Sequence, residues 1–329
     1  MALPSIVDKP RVTWALLAIN IVVWLGMEIW GDSTNGETLI DFGAMFSPLI
    51  ANGEYWRLFT AMFLHVGMYH LFTNGLGLFI FGPLVERSFG SARYLAIYVL
   101  AGLFGSVLSY NLNDLSVGAG ASGALFGIMG AFAAFFVMQR KTFGAVAQRS
   151  LTGIAVLAVI NFAFGLSTPG IDNWAHLGGL AGGFFLGLAF APQYEVVNSI
   201  FGLPIALKDN NSITRRWWVL PAAAIVLAGG GALGTTSAPE TPFTRYYVAE
   251  RNFNQGDYSR ALTEVNRAME INSDMPEAHL LRGKIRMETG DYIGAQTDLA
   301  RAVVLARAHG FRRMESEAIR LLLEVRARN

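Results

Sequence analysis

The chain has 329 residues, 53% of them hydrophobic and only 15% charged, against roughly 25% charged in an average soluble domain. That balance excludes an ordinary soluble protein. A net charge of +1 supplies no basic field of the kind that recruits nucleic acid, so no nucleic-acid partner is expected. With no cysteine, disulfides, thiol catalysis and Cys-ligated zinc or iron sites are ruled out.

Seven apolar runs are long enough to count as membrane spans: Thr13 to Trp30, Val66 to Val85, Tyr94 to Leu112, Ser122 to Met138, Leu151 to Leu166, Trp174 to Ala191 and Trp217 to Gly234. A bilayer core of about 30 Å needs about 20 helical residues. Leu151 to Leu166 therefore spans only with help from its flanks. The seventh run carries Pro221 and Gly229-Gly230-Gly231, tolerated in lipid where neighbours satisfy the freed backbone groups. The first run contains Asn20, ends in Glu28 and lacks a small-residue cleavage site, which predicts a span that stays in place and not a signal peptide.

Alternating the loops puts Lys9, Arg11, Arg87, Arg93, Arg140, Lys141, Arg149, Lys208, Arg215 and Arg216 on one side and Arg57 alone on the other. The positive-inside rule then predicts a cytoplasmic N-terminus. The loops around Asp32 to Arg57, Asn113 to Ala121 and Ser167 to Asn173 face outward, and an odd seventh span exports everything after Gly234. Residues 242–329 hold 26 of the 49 charged side chains, which predicts a water-soluble tail.

Within the tail, Gly256-Asp257-Tyr258 recurs as Gly290-Asp291-Tyr292, and Ala261 and Ala268 recur as Ala295 and Ala302, always 34 residues on. That period resembles the tetratricopeptide (TPR) repeat. It implies paired helices crossing at small residues, Gly283 among them, with Pro276 opening the second repeat. Phe311 to Arg328 is expected as a solvating end helix. Two repeats and a cap is short for such a solenoid, for which roughly three are usually required.

Of five histidines, His65, His70 and His176 fall in or beside spans, where an ionisable side chain points to function by default. His70 and Asn74 are four apart and share a helix face. Ser122, in Gly118-Ala119-Gly120-Ala121-Ser122-Gly123, opens an apolar stretch that runs without a charge to Met138. Seventeen residues at 1.5 Å cover about 25 Å, less than the core, so the serine is expected several Å below the outer boundary. His176, in Asn173-Trp174-Ala175-His176, begins span 6 at the same depth. Gly179 and Gly183 behind it form a small-xxx-small face for close helix approach. A neutral imidazole beside that hydroxyl is a general base beside a nucleophile, and with no Asp or Glu in a span at that depth the pair is a dyad.

Over about Val12 to Ala191 these residues resemble the rhomboid intramembrane proteases. The matching pieces are Trp56-Arg57, His65-x4-His70-x3-Asn74, Glu86, Gly120-Ala121-Ser122-Gly123, and Ala175-His176 followed by Gly179 and Gly183. The resemblance implies Ser122 as nucleophile, His176 as base, and His65, Asn74 and the Ser122 N–H as the oxyanion hole. His70 is implied as a structural, site-lining residue, and Trp56 and Arg57 as part of an interfacial loop with a structural role. Phe126 stands where some members carry Tyr, one turn after the serine, and is expected to pack on His176. Glu86 lies about a membrane thickness from Ser122 and is expected to be structural.

The expected fold class is all-α: a polytopic membrane helix bundle, with a six-helix rhomboid core at 1–200, a loop and seventh transmembrane helix at 201–241, and a soluble TPR-like domain at 242–329. The implied function is an intramembrane serine endopeptidase, with transmembrane protein substrates, the lipid bilayer, and a protein partner for the TPR-like domain. No metal or cofactor is implied, and HExxH is absent. The expected location is a bacterial inner or plasma membrane, tail outside. The alternative on the same fold is a non-catalytic membrane-protein chaperone or receptor, against which the presence of both Ser122 and His176 argues.

Overall fold

The computed structural model describes Val7 and residues 9–113, 117–198, 204–237 and 240–328; the expected domain boundary at 200/201 lies outside the described residues. The long helices are α1 (Arg11–Trp30), α2 (Gly67–Phe89), α3 (Ser91–Leu112), α4 (Ser122–Met138), α5 (Ala145–Ser167), α6 (Asn173–Phe190), α7 (Val219–Ser237), α8 (Pro242–Asn254), α9 (Tyr258–Ile271), α10 (Pro276–Glu288), α11 (Tyr292–His309) and α12 (Arg312–Arg328). They fall into two units, α1 to α7 and α8 to α12.

Among the described residues α1, α2, α3, α5 and α7 are long and apolar enough to cross a membrane. The other two expected spans are the helices that carry Ser122 and His176. The 17-residue α4 is buried almost continuously from Gly123 to Phe136, so protein and not lipid surrounds it. The 18-residue α6 opens with the polar groups of Asn173 and His176. Span 5 begins six residues earlier than its apolar run, at Ala145, because helix continues through Gln148 and Arg149.

The fold is predominantly helical as expected, with two short strand pairings besides. Tyr194–Asn198 (β3), at the end of the stretch expected as membrane core, and Pro204–Asp209 (β4), in the stretch expected to be loop, form an antiparallel hairpin. Earlier, Met45–Phe46 (β1) pairs with Val117–Gly118 (β2). Two-residue strands leave no period to read, and the hairpin's Val196-Val197 and Ile205 lie between Pro and Asn signals that favour turns.

Buried polar groups lock the membrane unit at both ends. Glu86, fully buried near the end of α2, accepts from Val12 N (3.1 Å), Thr13 N (2.8 Å), Thr13 Oγ1 (2.8 Å) and Ser91 Oγ (2.6 Å). Its carboxylate thus caps the first turn of α1, where N–H groups lack helical partners and the helix dipole favours an anion. Arg93, at the start of α3, donates to the carbonyls of Phe190 (3.2 Å) and Asn211 (2.9 Å) and to the Asp209 carboxylate. Asn211 Nδ2 donates to Ala189 O and Ala191 O, closing the end of α6. In the long loop before α2, buried Arg57 meets Glu54 at 2.6 Å and donates to the carbonyls of Ile40 (2.5 Å) and Ala44 (3.2 Å). Trp56 lies against its guanidinium, 4.6 Å from carbon to ring centroid, and is half exposed.

The α7 helix has the partners that its glycines require. Asn111 Nδ2 donates to Gly230 O (3.0 Å), and Thr235 Oγ1 lies 2.9 Å from Tyr55 OH and 3.1 Å from Tyr110 OH. In the second unit the helices recur in register: Pro242 and Pro276 each open a first helix, and Asp257 and Asp291 cap α9 and α11, accepting from Arg260 N (3.1 Å) and Gly294 N (2.9 Å). Ala261, Ala268, Ala295 and Ala302 are fully buried. A Cβ at Gly283 would come within 2.8 Å of Leu299, which accounts for a glycine there.

Candidate active site

The chain descends to Ser122 along a path held at each step. Gly118 pairs with Met45 across the two-residue sheet, and Gly120 N donates to Ala61 O (2.9 Å). Gly120 has φ +138°, a conformation that a Cβ resists. Ser122 is the first residue of α4, and the first bond of that helix runs from Leu125 N to Ala121 O. The N–H groups of Ser122, Gly123 and Ala124 therefore precede the helical ladder and lie at its positive end.

Glycines set where His176 meets the serine. A Cβ at Gly179 would be 2.0 Å from Gly123 O, one at Gly183 would be 1.9 Å from Gly127 O, and one at Gly187 would be 2.6 Å from Ala131 Cα. Each partner on α4 advances by four as its counterpart on α6 does, so the two helices run side by side, backbone against backbone. The other flank of α6 faces α3 in the opposite sense: Cβ atoms at Gly178 and Gly105 would strike Phe104 O (2.7 Å) and Ala175 O (2.5 Å). With α6 clamped on both flanks, His176 Nε2 stands 2.9 Å from Ser122 Oγ.

Packing holds the imidazole, since His176 Nδ1 has no hydrogen-bond partner among the described residues. Phe126 stacks on the ring (centroids 4.4 Å, 14°) and Phe162 of α5 meets it edge-on (6.2 Å, 77°). Asp172 caps α6, accepting from Ala175 N (2.9 Å) and from the buried Ser109 hydroxyl.

Of His65, just ahead of α2, and His70, within its first turn, it is the His70 ring that comes up to Gly120, two residues before the serine. A Cβ at Gly120 would lie 2.9 Å from His70 Nε2 and 3.7 Å from Ser122 Oγ. His65 is fully buried, its ring edge-on to that of His70 (5.3 Å, 69°). His65 precedes the helix, so the loop at Leu64–Val66 sets its ring, whereas His70 shares a helical face with Asn74. Asn74 is buried and gives one amide hydrogen to His70 O (3.0 Å).

Several contributors were not singled out from the sequence: Asp172 with Ser109, Phe162, and Gly127, Gly105, Gly178 and Gly187. Asp172 carried a signal, an acidic N-cap residue directly before an apolar helix. Ser109 did not, because its partner is 63 residues away.

The Ser122 hydroxyl and the His176 imidazole thus stand in hydrogen-bond contact at a helix N-terminus, enclosed by apolar helices, within a membrane-helix bundle. The Rhomboid domain model matches residues 52–193. Rhomboid protease GluP of Bacillus subtilis (strain 168) is 45% identical over 182 residues, 55% of this chain and 35% of that protein. RHOMBOID-like protein 1 of Arabidopsis thaliana is 40% identical over 164 residues, 49% of this chain and 42% of that protein. Putative rhomboid protease YdcA of Bacillus subtilis (strain 168) is 34% identical over 194 residues, 56% of this chain and 91% of that protein. The chain belongs to the rhomboid family and is an integral membrane protein. It spans well under half the length of the first two of these relatives.

Proposed function

We propose that the chain is an intramembrane serine endopeptidase that hydrolyses peptide bonds in transmembrane segments of other membrane proteins near the outer face. The observation that carries this reading is the 2.9 Å approach of His176 Nε2 to Ser122 Oγ; family membership and the two relatives named as proteases support it. Neutral His176 takes the hydroxyl proton as Ser122 Oγ attacks the substrate carbonyl, and the imidazolium then protonates the leaving amine. Water, activated by the same base, releases the acyl group. The oxyanion that forms at each step is received by the Ser122 N–H, His70 and Asn74, with His70 taking the place first expected for His65. Gly120, Gly123, Gly179 and Gly183 allow the close approach, and Phe126 holds the base.

The loop charges support a cytoplasmic N-terminus and an external tail in a bacterial plasma membrane. The 34-residue recurrence of α8 to α11 supports a TPR-like domain that recruits a substrate or a partner protein, raising local concentration without touching the chemistry. The test is cleavage of a single-span membrane protein by purified chain in liposomes. Ser122→Ala and His176→Ala should each abolish it, with the double variant no worse, because members of one catalytic unit are non-additive. Undiminished turnover by Ser122→Ala would overturn the reading.

A further inference from the structure

We propose that Asp172 is the positioning residue of His176, acting through the backbone of α6 and anchored to α3 by Ser109. This rests on the reading of His176 as the base. In a serine–histidine site the base needs a third group to hold it, normally a carboxylate on Nδ1. Here Nδ1 has no such partner among the described residues, while a carboxylate sits one helical turn away at the N-cap. One of its oxygens takes Ala175 N (2.9 Å), the other takes the hydroxyl of the fully buried Ser109, and the Asp172 carbonyl takes His176 N (3.2 Å).

The Ser109–Asp172 bond also continues an existing seam. Along the antiparallel face of α3 and α6, Phe104 meets Gly182, Gly105 meets Ala175 and Gly178, and Ser109 meets Asp172. The glycine contacts below fix the separation of the two helices. They reach the first turn of α6 only at Ala175, and the N–H groups of that turn, which lack helical partners, depend on the cap. That turn carries His176, so a loosened cap moves Nε2 away from Ser122 Oγ. Phe126 and Phe162 restrain the ring, and Asp172 restrains the backbone that presents it.

The experiment compares kcat and KM for cleavage by the full chain in liposomes across Asp172→Ala, Asp172→Asn, Ser109→Ala and His176→Ala, each normalised to folded protein. Asn keeps the cap, its one amide oxygen accepting from Ala175 N, and carries no charge, while its Nδ2 donates to Ser109 Oγ where the carboxylate accepted. Asp172→Ala should lower kcat between about 10-fold and 10²-fold, the scale of a displacement near 1 Å, with KM within about twofold. Asp172→Asn should recover most of that loss, and Ser109→Ala should fall in the same direction by less. Wild-type kcat in Asp172→Ala, or an Asn variant as slow as the Ala variant, would overturn the proposal. So would a loss that disappears on normalisation. Full turnover by His176→Ala would instead overturn the assignment of the base itself, so the two failures are distinguishable.

Discussion

Gly183 faces the backbone of Gly127 so closely that a Cβ on Gly183 would stand 1.9 Å from the Gly127 carbonyl oxygen. Nothing in that contact can move except a whole helix. Because the same row of contacts sets the height of His176 against Ser122, Gly183→Ala should separate α4 from α6. Overpacking of this kind costs about 1–3 kcal/mol or more. The expected result is a lower melting temperature together with loss of cleavage, and wild-type cleavage in this variant would show that the seam does not set the site.

His70 and His65 should separate in a pair of variants. With the His70 ring against Gly120 and His65 fully buried, His70→Ala should lower kcat by about 10² with little change in stability, the worth of one oxyanion donor. His65→Ala should lower stability and leave turnover per folded molecule within a few-fold of wild type. The reverse pattern would restore His65 to the oxyanion role.

The part of the site legible in the sequence was the part written in local spacing. Ser122 stood out because a glycine-rich approach leads into an uncharged helix, and His176 because a histidine opens another apolar run at equal depth. The placement of His65 and His70 turned on where α2 begins, a boundary that apolar content alone does not mark; the i, i+4 spacing of His70 and Asn74 did put them on one helix, joined by Asn74 Nδ2 and His70 O. Asp172 and Ser109, and the α3 glycines that meet α6, are long-range pairings, and spacing carries no record of them. The β3–β4 hairpin was hidden for a related reason: its strands are short and stand among residues that read as connection between spans.

Glu86 offers a test of structure apart from chemistry. It caps α1 from inside the bundle, sixteen residues along α2 from His70 and so about 24 Å away. Glu86→Ala leaves the N–H groups of Val12 and Thr13 buried without their acceptor, at a cost of about 2–3 kcal/mol. Unfolding in bicelles should show that loss, while turnover per folded molecule stays unchanged. A fall in kcat without a fall in stability would place Glu86 in the mechanism.

The tail has its own pH dependence. Burial alone would raise the pKa of Asp298, but hydrogen bonds from His279 and Arg282 and the charges of Arg282 and Arg286 outweigh it and hold the carboxyl below its usual value. A depressed folded value means that the stabilisation is complete above the unfolded pKa, near 3.9, and is lost as pH falls through the folded one. Hydrogen-exchange protection of α10 and α11 in the full chain, corrected for intrinsic rates, should therefore decline as pH drops below about 4. In Asp298→Asn protection should already be reduced at pH 7, with a smaller further decline. An identical acid profile in both proteins would contradict this.

The central claim is that His176 activates Ser122, and the most direct measurement is covalent labelling by a fluorophosphonate in liposomes, read by intact mass and peptide mapping. The wild-type chain should acquire one adduct, on Ser122. Ser122→Ala should acquire none, and His176→Ala should label slower by orders of magnitude while keeping its thermal stability. Undiminished labelling in His176→Ala, or an adduct mapped to any residue but Ser122, would contradict the account.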